Sequence, residues 1–307
     1  EMTLDEYVSG FEGTAIPVIK MEKLDGIALN QYLHDNRDNT KFDFRQKTKL
    51  SRAIAEALSL FHSAGYIHRD VKPDNIFVKE DGGDYSVRFV DCGLVTKLSR
   101  LPASKEFSGS IRYMPLEHIY AADPQRRNWA VARRETDIFS LGAVMHKIFE
   151  GESPVDYAMT QARRNYDAAH RGNPSWDRNK RDIAELGAVA ESLRSEDYLE
   201  TLRFMVEEVT DDYLNTPEGM IDLVMYRCLQ KDINMRYSNC EDVVMELEYA
   251  LRLLDEREKN DVARQLMPEK PPLESGLYII RDDKVVRVDG PEIPYSVKAP
   301  RTVLRAV

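Results

Sequence analysis

The sequence predicts an α+β fold weighted toward helix, and three observations carry that reading. Apolar residues recur at helical spacing through Arg45–Ala64 and again through Asp137–Phe149. Two short β-rich runs flank a glycine-bearing turn between residues 76 and 90. The region from Asp182 to Ala250 is mostly helical by periodicity. With 307 residues, 42% hydrophobic and 31% charged, the chain has ordinary globular composition and length for one large domain or two smaller ones.

The elements follow in chain order. Ala15–Leu24 reads as a strand, Asp25-Gly26 as a turn, and Leu29–Leu33 as a short helix. Along Arg45–Ala64 the residues Leu50, Ile54, Leu58 and Phe61 give one buried face, and Gly65 stands where a C-terminal cap belongs. Tyr66-Ile67, a polar loop and Ile76-Phe77-Val78 come next. The cluster Glu80–Asp84 is a turn into a second strand, Ser86–Val90. After Asp91 the chain is irregular to about Glu117, before the apolar helix at Asp137–Phe149. From Leu266 the character changes. Pro268, Pro271 and Pro272 precede a hairpin of Tyr278–Ile280 and Lys284–Val288 across Asp282-Asp283, so a boundary is placed near Met267.

Bulk charge narrows the partners. A net charge of −10 argues against nucleic acid and against anionic membrane surfaces, both of which reward clustered Lys and Arg. No run of about 18 apolar residues exists to span a bilayer. Glu1 to Phe11 do not resemble a signal peptide, and the chain reads as a fragment or as one whose beginning is missing. Cys92, Cys228 and Cys240 show no metal-ligand spacing, and an odd number of cysteines suits reduced thiols in the cytoplasm.

The stretch that carries chemistry is His68-Arg69-Asp70-Val71-Lys72-Pro73-Asp74-Asn75, with Asp91-Cys92-Gly93 beginning sixteen residues after Asn75. Taken singly, Asp70 and Asp91 read as solvated loop acids and Asn75 as a turn former. Together, between a helix and a hairpin, they resemble the catalytic loop and metal-binding motif of the protein kinase family, Ser/Thr class. The resemblance runs from about Val18 to Leu254. It implies a protein-kinase-like fold, mainly the helical C-terminal lobe (26–266), with residues 1–25 as a remnant of N-terminal-lobe strands and hinge, and 267–307 as a Pro-bearing tail. It implies ATP and Mg²⁺ as cofactors and a protein substrate.

By the same resemblance Asp70 orients the substrate hydroxyl, and Lys72 reaches the transferred phosphate. Asn75 and Asp91 offer oxygen ligands to Mg²⁺. Met21, Glu22 and Leu24 would border the adenine, with Phe77 under the base; Met21 and Phe77 as plain core residues is the other reading. Gly109–Glu117 resembles a substrate-docking loop, although it ends Pro-Leu-Glu where the family has Ala-Pro-Glu. Glu117 would pair with Arg236, and Asp137 would hold the catalytic-loop backbone. Arg69 beside Asp70 implies an activation segment ordered by an acid, either Glu106 or a phosphate on Ser104 or Ser108.

Four departures set further expectations. Cys92 replaces the family's phenylalanine and is read as a buried, inert thiol. The stretch between Glu117 and Asp137 is longer than usual, with Arg126-Arg127 and Arg133-Arg134 read as a solvated surface insertion. The segment between Pro154 and Thr216 is long and highly charged. Lastly, the Gly-rich loop and phosphate-holding lysine of an N-terminal lobe do not occur in the chain. An upstream lobe or a regulatory partner protein is therefore expected to complete the ATP site, and a pseudokinase acting as an interaction module is the alternative.

Overall fold

The computed structural model describes residues 23–98, 110–115, 117–118, 133–169, 211–266, 276–281, 284–287 and 303–306. The strand expected at 15–24 therefore lies outside the described residues, except for Lys23 and Leu24, which are not in a strand. Two compact units divide the chain, 1–255 and 256–307.

The first unit opens with strand β1 (Ile27–Ala28) and helix α1 (Leu29–Asp35). Helix α2 (Phe44–Ser63) starts where Asp43 caps it, its carboxylate accepting the Gln46 N–H at 3.0 Å. Its Leu50, Ile54 and Leu58 are fully buried, as the spacing requires, and Gly65 just past its end adopts φ +82°. Each such buried side chain contributes roughly 1.5–3 kcal/mol.

After β2 (Tyr66–Ile67), a 3₁₀ turn at Pro73–Asn75 leads into the hairpin of β3 (Ile76–Asp81) and β4 (Asp84–Phe89). The five-residue turn expected at 80–84 is tighter than that. Asp81 pairs with Asp84 and Glu80 with Tyr85, because Gly82 and Gly83, at φ +61° and +86°, make the whole reversal themselves. β1 adds to the other edge of β3, with Ala28 opposite Phe77, while β5 (Thr96–Lys97) pairs with β2.

Helix α3 (Arg134–Glu150) is the centre of the unit: Thr136 through Met145 are all buried. A helix buried on every side needs no amphipathic stripe. Gly142 lets helix α6 (Pro217–Cys228) approach, since a Cβ there would stand 2.6 Å from the Cys228 Cβ. Helices α4 (Asp156–Ala169), α5 (Asp211–Leu214) and α7 (Cys240–Leu266) complete the helical set. Of the helical run expected at 182–250, residues 182–210 lie outside the described residues, as do residues 119–132 and Glu106.

Helix α7 runs to Leu266, beside the boundary expected at Met267, while the division between units falls within it, after Asp255. In the second unit the expected hairpin forms from β6 (Gly276–Arg281) and β7 (Lys284–Arg287). A third strand that the sequence reading did not anticipate, β8 (Val303–Ala306), pairs with the other edge of β6. No helix among the described residues is long and apolar enough to cross a membrane.

Candidate active site

Asp137, in the first turn of α3, organises the loop between β2 and β3 from beneath. Its side chain is 1% exposed. Oδ2 accepts the His68 backbone N–H at 2.7 Å and pairs with His62 Nε2 at 3.0 Å, and Oδ1 accepts the Arg69 N–H at 2.8 Å. A buried carboxylate is tolerated only when its lone pairs are used in this way. Arg69 holds a left-handed backbone, φ +69°, which costs a non-glycine residue on the order of 1–2 kcal/mol. The Asp137 bond to its N–H offsets that strain.

His68 is fully buried, with its ring 5.5 Å from Phe61 and 5.1 Å from Phe89. Its Nδ1 accepts the Asp70 N–H, which leaves Nε2 as the donor to the Val90 carbonyl, both at 3.3 Å. The imidazole thus joins the loop to the end of β4.

Asp70, 8% exposed, is held from three directions. Ser110 N–H donates to Oδ1 at 3.0 Å. Asn75 Nδ2 donates to Oδ2 at 2.8 Å, and Lys72 Nζ reaches the same oxygen at 2.6 Å. Asn75 Nδ2 also bonds the Asp70 carbonyl at 3.0 Å. Because the amide nitrogen carries both contacts, the amide oxygen of Asn75 points to the opposite edge, away from Asp70.

Asp91 stands elsewhere on the same scaffold. Its neighbour Val90 donates to the Asn75 carbonyl at 2.9 Å, so the two proposed metal ligands are tied through one backbone bond. Asp91 is exposed, takes φ +57°, and its Oδ1 accepts only the Gly93 N–H, at 3.4 Å, among the bonds found for it. A neutral amide oxygen and a carboxylate make a hard donor pair of the kind Mg²⁺ takes alongside water and phosphate oxygens. These residues fit that ion.

The structure thus brings Asp70, Lys72 and Asn75 together and sets Asp91 nearby in the chain's hydrogen-bond network. Phe77 is half-buried on the sheet face opposite Ile76 and Val78, sharing it with the exposed Arg88, so it is not a core residue. Leu24 is half-buried at the start of the described residues; Met21 and Glu22 lie outside them. One expectation is overturned: Cys92 is exposed. The 3₁₀ turn Cys92–Leu94 packs no buried residue, so the smaller side chain stays at the surface instead of entering the core.

The segment after Ser110 is pinned from below. Ser140 Oγ donates to the Tyr113 carbonyl at 2.6 Å, and Arg112 pairs with Asp156 at 2.9 Å. Arg236 bonds both oxygens of Glu117, at 2.7 and 2.9 Å, with its guanidinium 4.9 Å from the Phe139 ring centre. That fork is the expected Glu117–Arg236 tie. A cavity of about 10 Å³, room for one water, lies among Asp70, Ser110, Thr136, Ser140 and His118. Burial holds the His118 imidazole below its ordinary pKa of 6.5.

Sequence reasoning missed Ser110, His62 and His118. Ser110 acts through a backbone amide, which no residue type announces. His62 carried a signal: it falls four residues after Leu58, on the buried stripe of α2.

This arrangement, an acid fixed beside a lysine and an asparagine that is tied to a second acid, is that of phosphoryl-transfer enzymes of the kinase class. The model of the protein kinase domain matches residues 6–248, and the chain belongs to that family. Among curated proteins it is similar to the probable serine/threonine-protein kinase PknB of Lactococcus lactis, 29% identical over 140 residues, 45% of this chain and 20% of that protein. It is also similar to the serine/threonine-protein kinase PrkC of Bacillus subtilis, 27% identical over 165 residues, 51% of this chain and 23% of that protein. The serine/threonine-protein kinase A-Raf of Mus musculus is 29% identical over 136 residues, 43% and 21% of the two chains. The chain thus spans about a fifth of the length of the curated relatives it matches.

Proposed function

We propose that this chain is an ATP-dependent protein serine/threonine kinase. The observation that supports it most is the three-donor clamp on Asp70, which positions the carboxylate with two donors on Oδ2 and one on Oδ1, so that Oδ1 keeps acceptor capacity for a hydroxyl proton. In this reading Asp70 aligns the acceptor hydroxyl, and Lys72 moves its charge from Asp70 to the phosphate being transferred. Asn75 Oδ1 and the Asp91 carboxylate would hold Mg²⁺, which would supply neutralisation of the phosphate charge. The acceptor peptide lies along Ser110–Pro115, beside Asp70. A positioned base, an in-line acceptor and charge neutralisation are what phosphoryl transfer requires.

The described residues supply one wall of the nucleotide site: Leu24, Phe77, Asn75 and Asp91. Phosphate contacts open to water on one side are weak, because the effective dielectric stays high. A covering wall from outside the described residues, an upstream lobe or a partner protein, completes the site in this proposal. The negative charge of the chain and the docking segment support a protein substrate and give no support to nucleic acid or membrane.

The test separates binding from transfer. Mg-ATP is titrated against the melting temperature of the chain, alone and with an upstream lobe supplied, and phosphate transfer to a mixed Ser/Thr peptide array is read in parallel. Transfer that depends on Asp70 and rises with the cover supports the proposal. Asp70→Asn protein that transfers phosphate at the normal rate would overturn the role of Asp70. Nucleotide stabilisation without transfer, covered or not, would leave a pseudokinase.

A further inference from the structure

Two adjoining hollows, of about 310 and 580 Å³, open where the α1–α2 connection meets the end of α3. They share Phe42, Lys47, Phe149 and Glu150, and neither is lined by Asp70, Lys72, Asn75 or Asp91. The proposed chemistry makes no use of them.

The smaller hollow has an apolar floor. Phe44 and Phe149 are in ring contact, their centres 5.4 Å apart, and Phe42, Ile221 and Met225 continue the surface. Phe42, Phe44 and Phe149 are each only half-buried, so aromatic area remains in water at a concave site. Such area is where a partner's apolar side chains gain most from desolvation.

The rim decides the sign of the partner. Asp43, Glu150, Glu218 and Asp222 stand around the floor of the smaller hollow, with Lys47 the one cation lining it among the described residues, while Arg37 and Lys147 line the larger hollow beside it. Lys47 is already committed: its Nζ donates to the Phe149 carbonyl at 3.1 Å and lies 6.0 Å from the Phe149 ring centre. A cation thus already rests near that aromatic face within the chain itself. The carboxylates also feel one another. Burial raises the Asp222 pKa, and the Glu150 and Glu218 charges push the same way, against a hydrogen bond from Tyr213 that lowers it. Like charges held this close repel, and an incoming cation relieves the repulsion.

We propose that this groove docks a cationic amphipathic segment of a partner protein, its apolar side chains on the phenylalanine floor and its lysines or arginines on the Glu150–Glu218–Asp222 rim. A second copy of the chain is the poorer occupant. Each copy carries a net charge of −10, so self-association at an acidic groove works against the long-range field. The inference stands apart from the kinase chemistry, since it needs none of the residues assigned there.

The experiment uses the whole chain and a labelled synthetic peptide of about 15 residues, with leucines at helical spacing and lysines elsewhere. Fluorescence anisotropy should show saturable binding that Glu150→Lys combined with Glu218→Gln weakens by about tenfold or more. A peptide with asparagine for leucine, or glutamate for lysine, should not bind. Asp70→Asn should leave the affinity unchanged, which separates the groove from the catalytic cleft. Circular dichroism melts confirm that the variants fold, and the milder Glu150→Gln, at an exposed position, serves if the double variant does not. Undiminished binding by the rim variants overturns the proposal, as does affinity lost in Asp70→Asn. Sedimentation showing a dimer that the rim variants dissolve would assign the groove to a second copy instead.

Discussion

Asp70 is 8% exposed and accepts hydrogen bonds from Ser110, Asn75 and Lys72, whereas Asp91 is exposed and accepts one long bond from its own near neighbour Gly93. Both sit close to a left-handed residue in the backbone, Arg69 in one case and Asp91 itself in the other. Among the described residues, the protein holds the first acid with three separate donors and gives the second only the Gly93 amide. A group that must align a substrate atom is worth fixing in advance, because misplacement by an ångström is costly. A group that must bind an ion keeps its lone pairs open until the ion arrives. Under the proposed function, the contrast is between an acid whose geometry is built by folding and one whose geometry would be completed by ligand.

Removing the support beneath Asp70 should have the largest effect. Asp137→Ala strands the His68 and Arg69 N–H groups and the His62 imidazole, all buried or nearly so. A loss of about 3–5 kcal/mol is expected, visible as a lower urea midpoint, with transfer abolished. A midpoint within about 0.5 kcal/mol of the parent would mean the loop holds itself. Next, Asp70→Asn should lower transfer by about 10²–10⁴-fold while the melting shift produced by Mg-ATP persists. Asp91→Asn should instead lose both: asparagine tolerates the left-handed backbone, so the ligand-free protein should melt unchanged, but the shift caused by Mg-ATP should disappear and transfer with it. If both acids gave the same pattern in the two assays, the contrast between them would collapse.

The smallest effect is a pH dependence beside Asp70. His118 has its pKa lowered by burial, so the unfolded chain takes up a proton near pH 6.5 that the folded chain resists. Stability should therefore be intact above that pH and decline below it, down to the depressed folded value. His118→Gln should flatten this slope in urea titrations run downward from pH 6.5. A slope unchanged by the substitution would assign the decline to other groups.

Much of this was legible in the residues, and the failures have physical causes. The α2 stripe is readable from periodicity and the cluster of Asp70, Lys72 and Asn75 from a dense motif, while the Glu117–Arg236 fork follows only from the family resemblance. The turn at Gly82-Gly83 was read as too long: acidic residues such as Asp81 and Asp84 are ordinary turn formers, and only the two glycines' positive φ values shorten it. Cys92 reads as buried because it replaces the family's phenylalanine, but the 3₁₀ turn there holds no buried residue. The amide of Ser110 and the strand β8 depend on contacts between distant segments, which local pattern does not contain.

The bonds of Asp137 also have a consequence for the order in which the molecule is made. His68 lies 69 residues before the carboxylate that holds it. A ribosome adding roughly 5–20 residues per second takes several seconds to cover that interval. Throughout it, the Asp137 bond that offsets the strain of the left-handed backbone at Arg69 is not yet formed. Only when α3 has emerged and packed does Asp70 acquire its fixed aim. Under the proposed function, a nascent or prematurely terminated chain that carries the catalytic motif without α3 lacks the bonds that aim Asp70, and competence is expected only with the core helix.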